Sequence, residues 1–468
     1  MDKDDVIYVI LLLFSIGFGK VIRTIEDVKK KRNLATAVGF LIVLAVSGRH
    51  IWHSLCLILV NAFIITSLEK TVIPAVSFAF SFTYLIFFRM TEYIGMSSPS
   101  GHSNMVQMIL TLKLVGLAFE VKDTHKGITE GRKDPEFEMS KIPNPTIPSI
   151  IHYSFCYIGV LTGPYYSYKT YLDMLNLQFS RFTKCSQYAV QRLKMLPFYG
   201  FVFVLANYYF PFEYALAEEF YEDRHFMYRL WYSVPIFLQF RMRMYIGMRM
   251  SEAVCIMAGA GCYPSFSDPK PGKGPSKEYV QLYNIRNNLK KAQACEYDFK
   301  AIHNIEPAGA EFDMTVRNSM KSWNMTVQYW LANYVFKRFP VNSLRLLATF
   351  SVSALWHGIY AGYYCTICSV PFYLPIEDIY SRRLKTIQVS SFVSNVWRIF
   401  AVCWRLFLMG YWGITFRLLT LEASFKYWKS VYFLPTIFTF VLYGLSFLIF
   451  KKRTNNGENT RSSREKGD

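Results

Sequence analysis

The 468-residue sequence contains no regular framework of paired cysteines. Its nine cysteines are an odd number and mostly lie in apolar surroundings, and Cys365 and Cys368 have no second pair of metal ligands nearby. Disulfide scaffolds and zinc modules both need such pairs at recurring spacings. The sequence therefore predicts buried free thiols and no bound metal ion.

Long polar linkers, which usually separate the domains of a soluble chain of this length, are also missing. Instead, 52% of the residues are hydrophobic and 18% are aromatic. Several apolar runs reach the roughly 17 to 25 residues that cross a bilayer. They predict an all-α, polytopic transmembrane helical bundle of about 9 to 11 spans. The runs are Val6–Phe18, Leu34–Val46, Ile51–Thr66, Val72–Phe88, Leu193–Phe210, Phe226–Phe240, Phe350–Val370, Phe392–Trp412 and Val431–Phe450.

Negative charge is scarce, because 33 acidic residues face 52 lysines and arginines and leave a formal net charge of +19. The basic residues cluster beside apolar runs, at Lys29–Arg32, in the segment 268–291 and at Lys451–Arg453. This placement indicates contact with lipid headgroups rather than with nucleic acid. The positive-inside rule predicts a cytosolic C-terminus and a lumenal N-terminus, and hence an odd number of spans.

A small-residue cleavage site is not evident after the first apolar run, which therefore reads as an uncleaved anchor. We expect one transmembrane catalytic domain over residues 1–452, with polar loops near 122–148 and 263–291. Residues 453–468 are expected to form a disordered polar tail on the cytosolic side. No internal repeat is evident, which argues against a transporter built from inverted repeats.

A polar stripe is predicted in the otherwise apolar segment Arg317–Arg338. Arg317, Lys321, Asn324 and Gln328 follow one another at spacings of four, three and four residues, which fits one face of a helix. Lipid satisfies no hydrogen bonds, so this face must meet protein or water. It either lines a wet chamber or packs against other helices.

His357 stands in the run "FSVSALWHGIYAGYY" (Phe350–Tyr364), which carries no formal charge. An ionisable residue inside a membrane segment is a functional-site hypothesis by default. A histidine titrates near pH 6.5 when unperturbed, which suits a general base. If the helix continues, Ser353 lies one turn before His357 and Tyr360 one turn after it. The alternative is a histidine that is hydrogen-bonded within the core.

Asn324 opens an N-M-T glycosylation sequon, but a glycan would not fit inside an apolar helix. A buried asparagine offers both a donor and an acceptor, so it can orient a substrate or stabilise an oxyanion. The alternative is a hydrogen bond between helices. The residue type alone leaves both interpretations open.

An asparagine in "WNMTVQ" followed 33 residues later by a histidine in "ALWHGIYAGYY" resembles the signature of the membrane-bound O-acyltransferase family. The sequence is particularly similar to the branch of that family that acylates lysophosphatidylinositol. The similar segments are "FSFTYLIFFR" near Phe80, Thr111–Val115, Gly159–Leu175, Phe240–Met248, Trp323–Ala332 and Ser353–Tyr364.

The resemblance implies an enzyme of the endoplasmic reticulum whose helical bundle encloses a catalytic chamber. Acyl-CoA would be the co-substrate, without a bound cofactor, and the sn-2 hydroxyl of lysophosphatidylinositol would be the acceptor. The resemblance also implies a polyunsaturated chain, such as arachidonoyl. His357 would act as the general base. Its upstream partner, which the resemblance implies to be asparagine or histidine, would be Asn324, and it would orient a reactant or stabilise developing charge. The sequence has neither a GxSxG nucleophile motif nor a nearby HxxxxD pattern, which agrees with direct transfer.

Further residues are candidates for substrate binding, alongside contact with membrane lipids. Basic groups would bind the phosphates of acyl-CoA, although each can also be an ordinary interfacial charge; the candidates are Lys321, Lys337, Arg338, Arg241 and Arg243. An inositol phosphate would need a cation and hydroxyl partners; the segment "TGPYYSYKTYLD" offers Tyr165, Tyr166, Tyr168, Lys169 and Asp173, which can equally form an aromatic belt. Gln328, Ser353 and Tyr360 complete the candidates near the two central residues.

Three alternatives remain at this point. The same chemistry can act on another acceptor: a different lysophospholipid, a sterol or a protein. A membrane transporter could use His357 and the polar stripe to line a path. A catalytically inactive lipid-binding relative would keep the fold without the reaction.

Overall fold

The computed structural model describes residues 3–177, 179–286, 288–384 and 390–446. Within these ranges the chain is mostly helical, as predicted, and two short strands, β1 (Tyr263–Pro264) and β2 (Tyr297–Asp298), pair antiparallel. The helices are α1 (Lys3–Thr24), α2 (Val28–Ser47), α3 (Ile51–Ser67), α4 (Ile73–Arg89), α5 (Gly101–Thr129), α6 (Pro135–Ser140), α7 (Ile147–Ser154), α8 (Tyr168–Asn176), α9 (Cys185–Leu193), α10 (Leu196–Tyr209), α11 (Glu218–Glu222), α12 (Phe226–Ala258), α13 (Tyr279–Arg286), α14 (Leu289–Gln293), α15 (Pro307–Phe312), α16 (Val316–Lys321), α17 (Met325–Leu331), α18 (Arg345–His357), α19 (Ala361–Ile367), α20 (Val370–Leu384), α21 (Ser391–Leu418) and α22 (Leu421–Ser430).

Among the described residues, five helical segments are long and apolar enough to cross a membrane: Asp4–Thr24, Val28–Ser67, Gly101–Thr129, Cys185–Tyr209 and Ser391–Leu418. The shorter apolar helix α4 (Ile73–Arg89) accompanies them, as does one further apolar helical stretch beyond α22, Leu434–Ser446. A chain with several such segments is a multi-pass membrane protein. The number of spans and the side of each terminus stay predictions. The tail predicted over 453–468 lies outside the described residues.

The chain divides into two compact units. The first unit comprises residues 1–202, 242–307 and 321–359, and the second comprises 203–241, 308–320 and 360–468. Both His357 and Asn324 belong to the first unit. The prediction of one domain over residues 1–452 is not tested by this division.

Helix α5 is the most buried of the five candidate spans, yet the apolar runs of the sequence do not include it. It carries polar residues that mask its hydrophobic character, among them Gln107 and Lys113. Lys113 is fully buried, and its Nζ lies 3.3 Å from the Tyr153 carbonyl oxygen and 3.4 Å from the Tyr166 hydroxyl. The same ammonium lies over both tyrosine rings, an arrangement that stabilises a buried cation. The Lys113 ammonium is thus accommodated by protein rather than lipid.

In the second unit, two buried charged side chains hold the short segment between α15 and α16. Arg405 of α21 donates to the carbonyl oxygens of Ala310 at 2.9 Å and Asp313 at 2.8 Å. Glu377 of α20 accepts the backbone N–H groups of Val316 at 2.6 Å and Arg317 at 2.9 Å. These contacts satisfy backbone groups at the ends of two short helices.

Two segments that the sequence suggests are loops contain regular structure. In the range 122–148, α5 continues to Thr129 and α6 follows; Gly127 lies directly against the ring of Phe137, where a larger residue would clash. In the range 263–291, β1 and α13 are present, and Tyr263 and Leu282 are buried. All nine cysteines are free thiols, but the prediction that they are buried holds for only four of them; Cys403 is exposed and the other four are half-buried.

Candidate functional site

Helix α18 ends at His357, where the sequence suggests a helix that continues for another turn. Gly358 has an extended backbone (φ 162°, ψ −177°), and the next helix begins only at Ala361. Glycine is unfavourable in a helix interior because it loses the most backbone freedom there. The prediction that Tyr360 lies one helical turn beyond His357 is therefore wrong. The imidazole is half-buried at a helix end, beside a residue without a side chain.

Arg89, the last residue of α4, holds the carboxyl end of α18. Its guanidinium donates to the carbonyl oxygens of Leu355 at 3.0 Å and Trp356 at 2.7 Å, and its Nε donates to Asn104 Oδ1 at 2.9 Å. The last carbonyl groups of a helix have no intrahelical partner, and a cation there also interacts favourably with the helix dipole. Arg89 thus fixes the backbone that carries His357.

Asn324 interrupts the helix that the polar stripe predicts. Helix α16 ends at Lys321, α17 begins at Met325, and Asn324 between them has a left-handed backbone (φ 48°, ψ 45°). A continuous helical face from Arg317 to Gln328 is therefore wrong. Asparagine reaches this conformation more readily than most residues, because its short polar side chain forms local hydrogen bonds. The half-buried Asn324 side chain lies at the start of α17.

Two tryptophans attach the helices of Asn324 and His357 to the same side of α5. Trp330 of α17 donates its indole N–H to the Leu112 carbonyl oxygen, and Trp356 of α18 donates to that of Met108, both at 3.0 Å. Met108 and Leu112 are four residues apart and so lie one turn apart on α5. Both indoles belong to one apolar cluster that also contains Tyr165. Helix α5 is thus the common support of the two candidate catalytic helices.

Trp330→Phe and Trp356→Phe each remove one of these bonds while keeping an aromatic ring. Each change is expected to lower the free energy of unfolding by about 1 kcal/mol, the net contribution of one hydrogen bond. The loss should not be larger, because the accepting carbonyl groups of α5 also take part in its backbone hydrogen bonds. Thermal unfolding in detergent measures the effect. Trp397→Phe is the control because Trp397 is 44% exposed. Equal melting temperatures for all three variants would contradict the attachment.

The segment "TGPYY" lies beside Asn324. The backbone N–H of Tyr165 donates to Thr326 Oγ1 at 3.1 Å, and the Tyr165 side chain is fully buried in the cluster of Trp330 and Trp356. The structure thus brings together three motifs that lie far apart in the sequence. They are the "TGPYY" segment, the "WNMTVQ" segment and the "ALWHG" segment.

These are the motifs on which the family resemblance depends. The model of the MBOAT, membrane-bound O-acyltransferase family matches residues 99–419. This protein belongs to the membrane-bound O-acyltransferase family. The membrane-bound acylglycerophosphatidylinositol O-acyltransferase of Drosophila melanogaster is 36% identical, over 97% of this chain and 94% of its own length. The Danio rerio protein of that description is 34% identical over 100% of this chain and 97% of its own. The human one is 34% identical over 92% and 91%.

In this membrane-bound O-acyltransferase, sequence reasoning missed a buried ionic cluster next to Asn324. Glu252 of α12 is fully buried, and its Oε1 accepts the backbone N–H groups of Asn304 at 2.6 Å and Ile305 at 3.0 Å. Its Oε2 lies 3.0 Å from Arg249 Nη1 and 3.4 Å from Arg192 Nε. Spacing along the chain gives no sign of this cluster, because its members come from separate segments.

The same cluster includes His303 and Glu306. Arg192 Nη2 lies 3.2 Å from His303 Nδ1, and guanidinium groups only donate, so Nδ1 accepts and His303 carries its proton on Nε2. His303 Nε2 then donates to the Ile305 carbonyl oxygen at 2.9 Å. A hydrogen bond from His303 to the Glu306 carboxyl, together with the positive charges of Arg249 and Arg192, holds the pKa of that carboxyl below its ordinary value.

Several of the O-acyltransferase's predicted substrate-binding residues have protein partners. Arg241 is 3% exposed and binds Glu311 in a bidentate pair at 2.7 and 3.1 Å. Four further candidates are also paired: Arg243 with Asp5 at 2.8 Å, Arg338 with Asp123 at 2.6 Å, Lys169 with Asp173, and the Gln328 amide with the Trp323 carbonyl oxygen.

The other candidates differ in exposure. Lys321 is exposed, Tyr360 is 43% exposed, and Ser353 is half-buried. Lys169 and Tyr168 also donate their backbone N–H groups to the carboxylate of Glu120, at 3.0 and 2.9 Å. The substrate-binding roles of all these residues stay predictions.

Proposed function

We propose that this O-acyltransferase transfers an acyl chain from acyl-CoA to the free sn-2 hydroxyl of lysophosphatidylinositol. One observation carries the proposal. The chain matches the acylglycerophosphatidylinositol O-acyltransferases nearly from end to end, at 33 to 36% identity for the four insect and vertebrate proteins with 97% or more of this chain aligned. Both motif residues, Asn324 and His357, are present in the first unit on helices that share α5 as their support.

In the proposed reaction, His357 takes the proton of the acceptor hydroxyl while the hydroxyl oxygen attacks the thioester carbonyl carbon. A tetrahedral intermediate forms, and the former carbonyl oxygen carries the negative charge. Collapse of the intermediate breaks the carbon–sulfur bond, and the imidazolium returns the proton to the sulfur of CoA. One positioned base contributes typically about 10²- to 10⁴-fold, and holding both reactants together contributes further.

We further propose that the enzyme works in the endoplasmic reticulum membrane, with its N-terminus lumenal and its C-terminus cytosolic. The distribution of lysines and arginines supports this orientation. Acyl-CoA is anionic and water-soluble, so its entry requires basic groups on the cytosolic side; the exposed Lys321 is one candidate. The proposed donor is a polyunsaturated acyl-CoA such as arachidonoyl-CoA.

The test is acyl transfer in membranes that contain the full chain, with arachidonoyl-CoA as donor. Lysophosphatidylinositol and lysophosphatidylcholine compete as acceptors in one reaction, and the products are quantified by mass spectrometry. We expect phosphatidylinositol as the dominant product. Dominant phosphatidylcholine would replace the acceptor in the proposal, and consumption of neither lysolipid would overturn it. A parallel reaction with palmitoyl-CoA tests the preference for polyunsaturated chains.

A further inference from the structure

The orientation of the Asn304 amide is fixed by a backbone group that can only donate. The N–H of Thr326 lies 3.2 Å from Asn304 Oδ1, and the Thr326 hydroxyl lies 2.7 Å from the same atom. A backbone N–H has no acceptor capacity, so the atom facing it must be the amide oxygen and not the nitrogen. The other end of the Asn304 amide is therefore its NH₂ group.

That NH₂ group faces Asn324. Asn304 Nδ2 lies 3.2 Å from Asn324 Oδ1, and because an amide nitrogen only donates, the facing atom of Asn324 must be an oxygen. The orientation of one amide thus determines that of the next. With its oxygen bound to Asn304, Asn324 is left with its own NH₂ group as the end that it can present to a ligand.

We propose that Asn304 is a positioning residue, which holds the Asn324 amide so that its NH₂ group donates a hydrogen bond to the oxyanion of the tetrahedral intermediate. This inference rests on the proposed function. It decides between two roles that the sequence leaves open: Asn324 acts as a donor to developing negative charge and not as an acceptor that orients the attacking hydroxyl. Donors that are held in place before charge develops need no reorganisation during the reaction.

Asn304 is itself held on three sides. It is 2% exposed, its backbone N–H donates to Glu252 Oε1 at 2.6 Å, and its carbonyl oxygen accepts the N–H of Met325 at 2.8 Å. Glu252 is fixed in turn by Arg249 and Arg192. The cluster thus continues from the buried Arg249 and the half-buried Arg192 to the first residues of α17, and this support defines the geometry at Asn324.

Asn304→Asp tests the proposal with little change in shape. A carboxylate still accepts from Thr326 but cannot donate to Asn324, so the Asn324 amide is expected to turn its NH₂ group toward Asp and away from the intermediate. We expect kcat to fall about 10- to 100-fold, below the full loss of an oxyanion donor, while KM for both substrates changes less than about threefold. A protonated aspartate donates again, so the ratio of variant to wild-type kcat should rise as the pH is lowered.

Two further variants separate orientation from mere stability. Thr326→Val removes the hydroxyl contact of Asn304 and leaves the Tyr165 N–H unpaired, but it keeps the backbone N–H that orients the amide. We expect a lower melting temperature with kcat much less affected than in Asn304→Asp. If the loss of kcat is proportional to the loss of melting temperature in both variants, the cluster is only structural and the proposal is overturned. The exposed Asn176→Asp is the control for the substitution itself.

Asn324→Asp asks the same question without altering Asn304, should Asn304→Asp not yield folded protein. Aspartate keeps the acceptor that Asn304 binds and lacks the donor. A donor role predicts a loss of kcat of about 10²- to 10³-fold, whereas retained kcat overturns the proposal. If wild-type protein transfers no acyl chain to any lysophospholipid, the proposed function has failed instead, and the two failures are thereby distinguished.

Discussion

Replacing His357 with alanine is expected to lower kcat for acyl transfer by at least about 100-fold, because the reaction loses its general base. The fold should tolerate the change. His357 is only half-buried and is the last residue of α18, and the bonds from Arg89 go to the backbone carbonyl oxygens of Leu355 and Trp356, which the substitution leaves in place. Steady-state kinetics and thermal unfolding of the same purified preparation measure both effects.

The exposed His125→Ala is the matched control, and its kcat should equal that of the wild type. If His357→Ala kept full activity at an unchanged melting temperature, His357 would be a core residue without a chemical role, and the mechanism would be wrong. Loss of activity together with loss of folded protein would assign the histidine to structure. Selective loss of kcat supports the base.

Replacing Glu252 with alanine is expected to destabilise the first unit by about 3 to 5 kcal/mol, the range measured when one partner of a buried ion pair is removed. The substitution leaves the guanidinium of Arg249 buried without this carboxylate and deprives two buried backbone N–H groups of their acceptor. Glu252→Gln should cost less, because an amide oxygen still accepts from the N–H groups of Asn304 and Ile305. Chemical or thermal unfolding in detergent provides the comparison.

The surface ion pair between Glu218 and Lys426 offers the contrast. The Glu218 side chain is 71% exposed, and an exposed pair contributes at most about 1 kcal/mol. Glu218→Ala should therefore melt close to the wild type. If Glu252→Ala melted no lower than Glu218→Ala, the buried cluster would not support the fold, and its role in holding Asn304 would also be in doubt.

The sequence predicts the features that arise from composition and local pattern. The apolar runs near Val6–Phe18 and Phe392–Trp412 coincide with α1 and α21. A helix that crosses a bilayer must be long and apolar, and both properties are evident from the sequence alone. His357 and Asn324 stand out as polar residues in apolar surroundings. Helix α5 is not recognisable as an apolar run, because its buried polar residues lower the hydropathy of the segment.

The geometry at the site depends on contacts between distant segments, and local pattern does not encode these. Helical spacing from Arg317 to Gln328 suggests one face, but the left-handed backbone of Asn324 breaks it. The helix around His357 ends at Gly358 although its composition would allow it to continue. Asn304 and Glu252 lie far from Asn324 in sequence, so only the folded chain identifies them as neighbours.

The left-handed conformation of Asn324 restricts which residues evolution can place there. Apart from glycine, asparagine, aspartate and histidine are the residues enriched at positive φ. Glycine has no side chain and aspartate cannot donate when ionised, so asparagine and histidine alone combine a tolerated backbone with an N–H donor. They are also the two residues that the family resemblance implies at the upstream position. Backbone strain and chemistry thus limit position 324 to the same pair of amino acids.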